Sequence, residues 1–204
     1  MSKYIDHIFF INLDKREDRK KEFELEMHKM GWNAERFPGI YYPPPKGIVG
    51  CGKSHLEVLK LAKTRGYKNV LIFEDDFVFL ESKEKVEQEL EKFFTNIPDF
   101  KVCMLAFNLH SGLVDIKNLY ITKVRKAATA SGYIVNHTSY DELINLYEEN
   151  LPLLESTMQH WIYANDQIWN KLQEKGGWYC FTNRLGKQRD GFSDNANSYL
   201  KYDC

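Results

Sequence analysis

Apolar positions in this chain come as short runs separated by helical stripes. His7 to Leu13 is apolar enough for a first, interior strand. Phe23, Met27 and Met30 then recur at helical spacing, with Asp14 the expected N-cap, Glu17 completing a capping box and Gly31 the stop. From Trp32 to Val49 the chain reads as loop, because Pro38, Gly39 and the consecutive Pro43, Pro44 and Pro45 cannot continue a helix. A second helix is expected from near Gly52 to Arg65, with His55, Leu59 and Ala62 on one face and Gly66 ending it. Asn69 to Phe73 is a buried strand. Lys83 to Thr95 is an amphipathic helix with Val86, Leu90, Phe93 and Phe94 as its stripe. Strands are expected at Lys101–Phe107, Asn118–Val124 and Ser131–Val135, and a helix through Tyr140, Leu143, Ile144 and Tyr147. Asn165 would cap a last helix carrying Ile168, Trp169 and Leu172; from Phe181 onward the chain reads mostly as loop.

Strands alternating with helices predict an α/β, Rossmann-like sandwich: a mostly parallel central sheet with helices on both faces. The 204 residues are expected to form a single domain, 1–204. Ligands of such sheets bind beyond the carboxyl ends of the strands. The first turn, NLDKRED, lacks Gly-x-Gly-x-x-Gly, which disfavours a nicotinamide or flavin dinucleotide. A formal net charge of -1 gives no basis for nucleic-acid binding. There is no apolar run long enough for a membrane helix, and the N-terminus reads as a strand, not a signal peptide. A cytoplasmic protein, or one without its own leader, is the expectation. Cysteines 51, 103, 180 and 204 match no zinc or Cys-x-x-Cys spacing, so reduced thiols are expected.

The chemistry concentrates at Glu74, Asp75 and Asp76, three acids at the end of a buried strand. On an extended chain Glu74 and Asp76 point one way and Asp75 the other. Carboxylates so placed repel unless a cation or protons separate them. Hard oxygens suit Mg²⁺ or Mn²⁺, shared with a substrate diphosphate. The plainer alternative, a solvated strand end, is disfavoured by the apolar Phe77, Val78 and Phe79 that follow. Arg16 and Arg19 lie three apart near a helix start, where guanidinium forks can take phosphate. Lys15, Lys20 and Lys21 beside them equally suit a solvated helix face. Gly50-Cys51-Gly52-Lys53-Ser54-His55 would open the second helix and offer free N–H groups to an anion. Gly47 to Ser54 also spells G-x-x-x-x-G-K-S, but a P-loop follows a buried strand, and Tyr-Tyr-Pro-Pro-Pro-Lys cannot be one.

Taken in order, FFINLDKREDRKKEF, GCGKSHLEVLKLA, NVLIFEDD, SGYIVNHTSYDELINL and QRDGFSD resemble glycosyltransferase family 25, which includes lipooligosaccharide and collagen galactosyltransferases. The resemblance implies a GT-A fold, a UDP-sugar donor, Mn²⁺ (or Mg²⁺) and inversion at the anomeric carbon. It puts Asn12, Leu13, Arg16 and Arg19 by the nucleotide, with Ser54 and Asp75 in the donor site, and Glu74 and Asp76 on the metal. His55 is a catalytic candidate through the Gly-Cys-x-x-Ser-His segment, with a hydrogen-bonded structural histidine as the alternative. Lys53 departs from a usually apolar position. For the base that deprotonates the acceptor we expect Asp166, in the first turn of a helix, or else a simple helix cap. Gln188, Arg189, Ser193 and Asp194 would close over the donor, and Trp161 and Trp169 could stack on a sugar or serve the core. The implied transfer moves galactose or glucose to a glycan or a collagen-like hydroxylysine acceptor, with QRDGFSD leaning to the latter. A binding module that has lost catalysis, or a metal-dependent phosphohydrolase, stays open as an alternative.

Overall fold

The computed structural model describes residues 3–193 and 198–202. In chain order the elements are β1 (His7–Asn12), α1 (Glu17–Met30), β2 (Glu35–Pro38), α2 (Gly47–Thr64), β3 (Asn69–Glu74), β4 (Phe77–Phe79), α3 (Lys83–Asn96), β5 (Val102–Met104), β6 (Asn108–Val114), β7 (Ile121–Ala128) and β8 (Gly132–Asn136). There follow α4 (Tyr140–Thr157), the short α5 (His160–Tyr163), α6 (Asn165–Ile168) and α7 (Asn170–Gln173), then β9 (Trp178–Phe181), β10 (Gly186–Gln188), β11 (Gly191–Ser193) and β12 (Ser198–Leu200).

Eight strands form one sheet in the order β2-β1-β3-β8-β5-β9-β7-β6. Strands β2, β1 and β3 are parallel to one another, as are β5 and β9, while β8 and β7 run against their neighbours. The α/β class with helices on both faces holds, but the sheet is mixed. The reason for two faces lies in side-chain alternation. Phe9, Val70, Ile72, Val102, Met104, Tyr133 and Val135 enter one core with α2 and α4. Their neighbours Ile8, Phe10, Leu71, Phe73, Cys103 and Ile134 enter the other with α1 and α3. Each fully buried aliphatic or Phe side chain contributes about 1.5–3 kcal/mol. Because both faces are covered, the open edge for a ligand is the strand ends.

Several expectations are corrected. Asp14 does not cap α1; Arg16 holds the N-cap position, and Asp14 instead accepts from Arg36 Nη2 at 2.6 Å. The stretch 32–49 contains β2, a parallel edge strand whose short, half-exposed sequence carries no alternation to read. Helix α2 starts at Gly47, a turn early, with Val49 and Gly50 N–H groups turned onto the Lys46 carbonyl. Gly50 is required there: an added Cβ would lie 2.2 Å from the Ile40 carbonyl oxygen. The Gly47–Ser54 sequence is therefore helix rather than phosphate loop, and the N–H groups from Cys51 to His55 are not a free first turn. Asn165 is the first residue of α6 rather than its cap. The tail is not plain loop, since β10 pairs antiparallel with β4 and β11 with β12. Asp194 lies outside the described residues. Among the described residues no helix is long and apolar enough to cross a membrane.

Candidate active site

Strands β1 and β3 are parallel neighbours and end side by side, with Ile11 opposite Glu74. After β3 the chain turns at Asp75 and Asp76 and re-enters as β4. That turn breaks the expected alternation, and it sends Asp75 and Asp76 to one partner. Arg19, in the first turn of α1, donates from Nη1 to Asp75 Oδ1 and to Asp76 Oδ2, both at 3.0 Å. Its Nη2 reaches the Phe192 carbonyl at 2.8 Å, tying the tail to the same guanidinium. Asn12 is buried at the end of β1 and donates to Asp75 Oδ2 at 2.7 Å, while its Oδ1 accepts from Arg36 Nε at 2.8 Å.

Glu74 faces elsewhere. Its Oε1 lies 3.0 Å from His55 Nε2 and 3.4 Å from Cys51 Sγ, both on α2. His55 is fully enclosed, and its Nδ1 meets the Tyr133 hydroxyl at 2.7 Å. These surroundings push neighbouring acids in opposite directions. Burial raises Asp76, the Glu74 charge adds to it, and Arg19 opposes, for a value of about 7. Burial also raises Asp75, against Arg19 and Asn12. Burial would raise Glu74 too, but the hydrogen bond and charge of His55 outweigh it and hold this carboxyl below its ordinary value. The Cys51 thiol is pushed well up by burial and by Glu74.

The tail closes the arrangement. Gln188, on β10, has its Nε2 3.5 Å from Asp76 Oδ2, and the Arg189 N–H donates to the Asp76 carbonyl at 2.7 Å. Asp76 Oδ1 is nevertheless buried with no hydrogen-bond partner among the described residues. A buried carboxylate oxygen without a hydrogen-bond partner fits a hard divalent cation.

Of the residues singled out in the sequence, Leu13, Arg16, Arg19, Ser54, His55, Glu74, Asp75, Asp76, Gln188 and Ser193 line one cavity at these strand ends. Asn12 stands directly behind it. Arg16 spends its fork on Asp18, at 2.9 and 2.7 Å. Ser54 is buried, donating to the Gly50 carbonyl and accepting from the Ile40 N–H, both at 2.8 Å. Asp166 does not line this cavity; it accepts the N–H of Thr129 at 3.0 Å. Thr129 has φ of +84°, a strained conformation for a β-branched residue that this contact helps to hold. Next to Asp166, the Asn165 amide lies 3.8 Å from Cys51 Sγ. Trp169 is fully buried in the core, whereas Trp161 is exposed. Sequence reasoning missed Arg36, Tyr133 and Tyr202. The last lines the cavity from the end of the described chain, and nothing in its local sequence announces it.

No protein-family model matches the chain. A curated protein of Drosophila pseudoobscura pseudoobscura named Glycosyltransferase 25 family member is 30% identical over 101 residues, covering 37% of this chain and 16% of the relative. One of the same name from Drosophila melanogaster is 29% identical over 101 residues, with the same coverage. The resemblance to glycosyltransferase family 25 holds. The chain spans only 16% of the length of these family 25 relatives. Solved structures similar to it include a glycosyltransferase involved in glycosylation of the major capsid of PBCV-1, 7% identical with a TM-score of 0.47, covering 94% of this chain and 95% of that one. The glycosyltransferase GlyE of Streptococcus pneumoniae is 10% identical with a TM-score of 0.45, over 86% of this chain and 38% of that one.

Proposed function

We propose that residues 1–204 are a single catalytic unit for glycosyl transfer, of GT-A type: an inverting hexosyltransferase that moves galactose or glucose from a UDP-sugar to a glycan or hydroxylysine-type hydroxyl. The observation that carries this reading is the buried, unpartnered Asp76 Oδ1 beside Arg19, at the carboxyl ends of β1 and β3. Asp76 and Glu74 would hold Mn²⁺ or Mg²⁺, which when bound supplies positive charge against a leaving diphosphate.

The chain's own residues supply the rest. Arg19 fixes the Asp75–Asp76 turn and adds fixed positive charge where the diphosphate would sit. Asn12 holds Asp75. Leu13, Arg16 and Ser54 border the nucleotide, with Gln188 and Ser193 closing from the tail. With His55 enclosed, its part in this reading is to position Glu74. In the transfer, the bond from the anomeric carbon to the diphosphate oxygen breaks as the acceptor oxygen bonds from the opposite side, and the acceptor's proton goes to Asp166. The neighbouring contact between Asn165 and Cys51 supports putting that residue near the cavity wall.

The test is a panel of UDP-sugars with Mn²⁺, measuring free UDP and sugar transferred to glycan and collagen-peptide acceptors. Turnover should be lost with chelator and should fall ~10²–10³-fold in Asp76→Ala. Turnover indifferent to both changes removes the reading. Inorganic phosphate released without sugar transfer points to a phosphohydrolase, and metal-dependent UDP-sugar binding without turnover to an inactive module.

A further inference from the structure

A thiol, an imidazole and a carboxylate converge beside the acid turn, a donor set that sugar transfer does not call for. Cys51 and His55 stand four residues apart on α2, so their side chains share one face. Glu74 ends β3 directly across from them. Its Oε1 lies 3.4 Å from Cys51 Sγ and 3.0 Å from His55 Nε2, and one donor atom from each of the three lies within 4.8 Å of the others. A four-coordinate zinc ion, with bonds of about 2.0–2.3 Å, sets adjacent ligand atoms roughly 3.3–3.5 Å apart. Two of the three edges are already close to that spacing, and the third is no longer than 4.8 Å.

Two further features favour an ion over a plain hydrogen-bond cluster. The Tyr133 hydroxyl at 2.7 Å from Nδ1 holds the imidazole so that Nε2 faces the cluster, the outer support that metal-bound histidines commonly have. All three residues also line the cavity that Asp76 borders, which gives a route in.

We propose that Cys51, His55 and Glu74 form a site for a borderline-soft divalent ion of the Zn²⁺ class, separate in ligand preference from the oxygen site at Asp76. Thiolate and imidazole select zinc over manganese or magnesium. Binding releases the thiol proton to solvent. Glu74 belongs to both sites, so zinc and manganese draw on one carboxylate and zinc opposes donor binding. The zinc site itself stands independently of the transferase reading, since its test needs no turnover.

The experiment titrates the full chain with Co²⁺ and follows absorbance. A thiolate-to-cobalt charge-transfer band in the near ultraviolet, with intense visible bands of four-coordinate cobalt, should develop and be erased by Zn²⁺. Cys51→Ser should lose the charge-transfer band. Tyr133→Phe should keep it while weakening Zn²⁺ binding ~10–100-fold. Asp76→Asn should keep it as well, which separates this site from the manganese site. On the unsubstituted chain, Zn²⁺ should protect Cys51 from alkylation, mapped by mass spectrometry. Absence of the thiolate band, its survival in folded Cys51→Ser, or equal Cys51 alkylation with and without Zn²⁺ overturns the proposal.

Discussion

Glu74 and Asp76 are two residues apart, the first partly and the second almost wholly withdrawn from water, and their protons behave oppositely. Glu74 meets His55 and Cys51 and is held below its ordinary value. Asp76 shares Arg19 with Asp75, feels the Glu74 charge, and rises to about 7. Burial alone would raise both. What separates them is the partner: Glu74 has its own hydrogen-bonded imidazole, whereas Asp76 shares a guanidinium with Asp75, has a long contact to Gln188, and keeps one oxygen with no hydrogen-bond partner among the described residues. One acid is thus satisfied by the protein, and the other is left in a state that a cation would relieve.

The strongest way to break this comparison is to remove the shared cation. Arg19→Met leaves two buried carboxylates uncompensated. It should cost on the order of 3 kcal/mol at pH 8, about 6–12 °C in Tm for a chain of this size. A variant as stable as the parent would show that Arg19 does not govern the acid turn.

A pair of substitutions sharpens the contrast in chelated protein. With its folded pKa raised, Asp76 contributes stability that is full below about pH 4 and lost as pH rises through about 7. Asp76→Asn keeps a neutral side chain, so it should be more stable than the parent at pH 8, by about 1–2 kcal/mol, and equal to it near pH 4. Glu74 has the opposite sign: its contribution is present above its ordinary value and lost as pH falls through the lowered folded one. Glu74→Gln should therefore be less stable than the parent at pH 8 by about 1 kcal/mol, with the gap closing in acid. Thermal unfolding from pH 4 to 8 reads both, and curves of the same sign would dissolve the distinction.

The smallest effect is on the ion. Because Asp76 must be ionised to bind a cation, Mn²⁺ affinity by calorimetry should weaken about tenfold from pH 8 to pH 6. A flat affinity over that range would move the manganese ligand away from Asp76.

Much of the frame was legible because burial writes itself into side-chain periodicity. Asn69–Phe73 alternates into two cores, and Phe23, Met27 and Met30 mark the inner face of α1 just as the spacing predicted. The parts that escaped are those without a buried face. Strand β6 is exposed along nearly its whole length at the sheet edge, and β2 is a four-residue edge strand ending in proline. The start of α2 was hidden by Gly47, Gly50 and Gly52, which resemble loop, although Gly50 and Gly52 serve close packing; a Cβ at Gly52 would lie 2.6 Å from Leu151 Cδ2. At the site, the acids were legible as a cluster, but the split between Glu74 and its neighbours was not. It arises from a turn at Asp75–Asp76 and from partners on α1 and α2 that are distant in sequence. Cys51 and His55 have ligand-like spacing, yet their meaning depended on a helix whose true start lay five residues earlier than expected.

The clasp of β10 on β4 bears on how the molecule is made. Gly132 and Gly186 both leave room for the Phe77 ring, with a Cβ on either falling 2.5 or 2.0 Å from it, and Arg189 grips the Asp76 backbone. A ribosome delivers residues 69–79 more than a hundred positions before the segment that fastens them. The nascent chain can pair β1 with β3 early, but its acid turn gains its final shape only when β10 and Arg189 come out of the exit tunnel, so a translation product stalled before them would have the scaffold without a finished pocket.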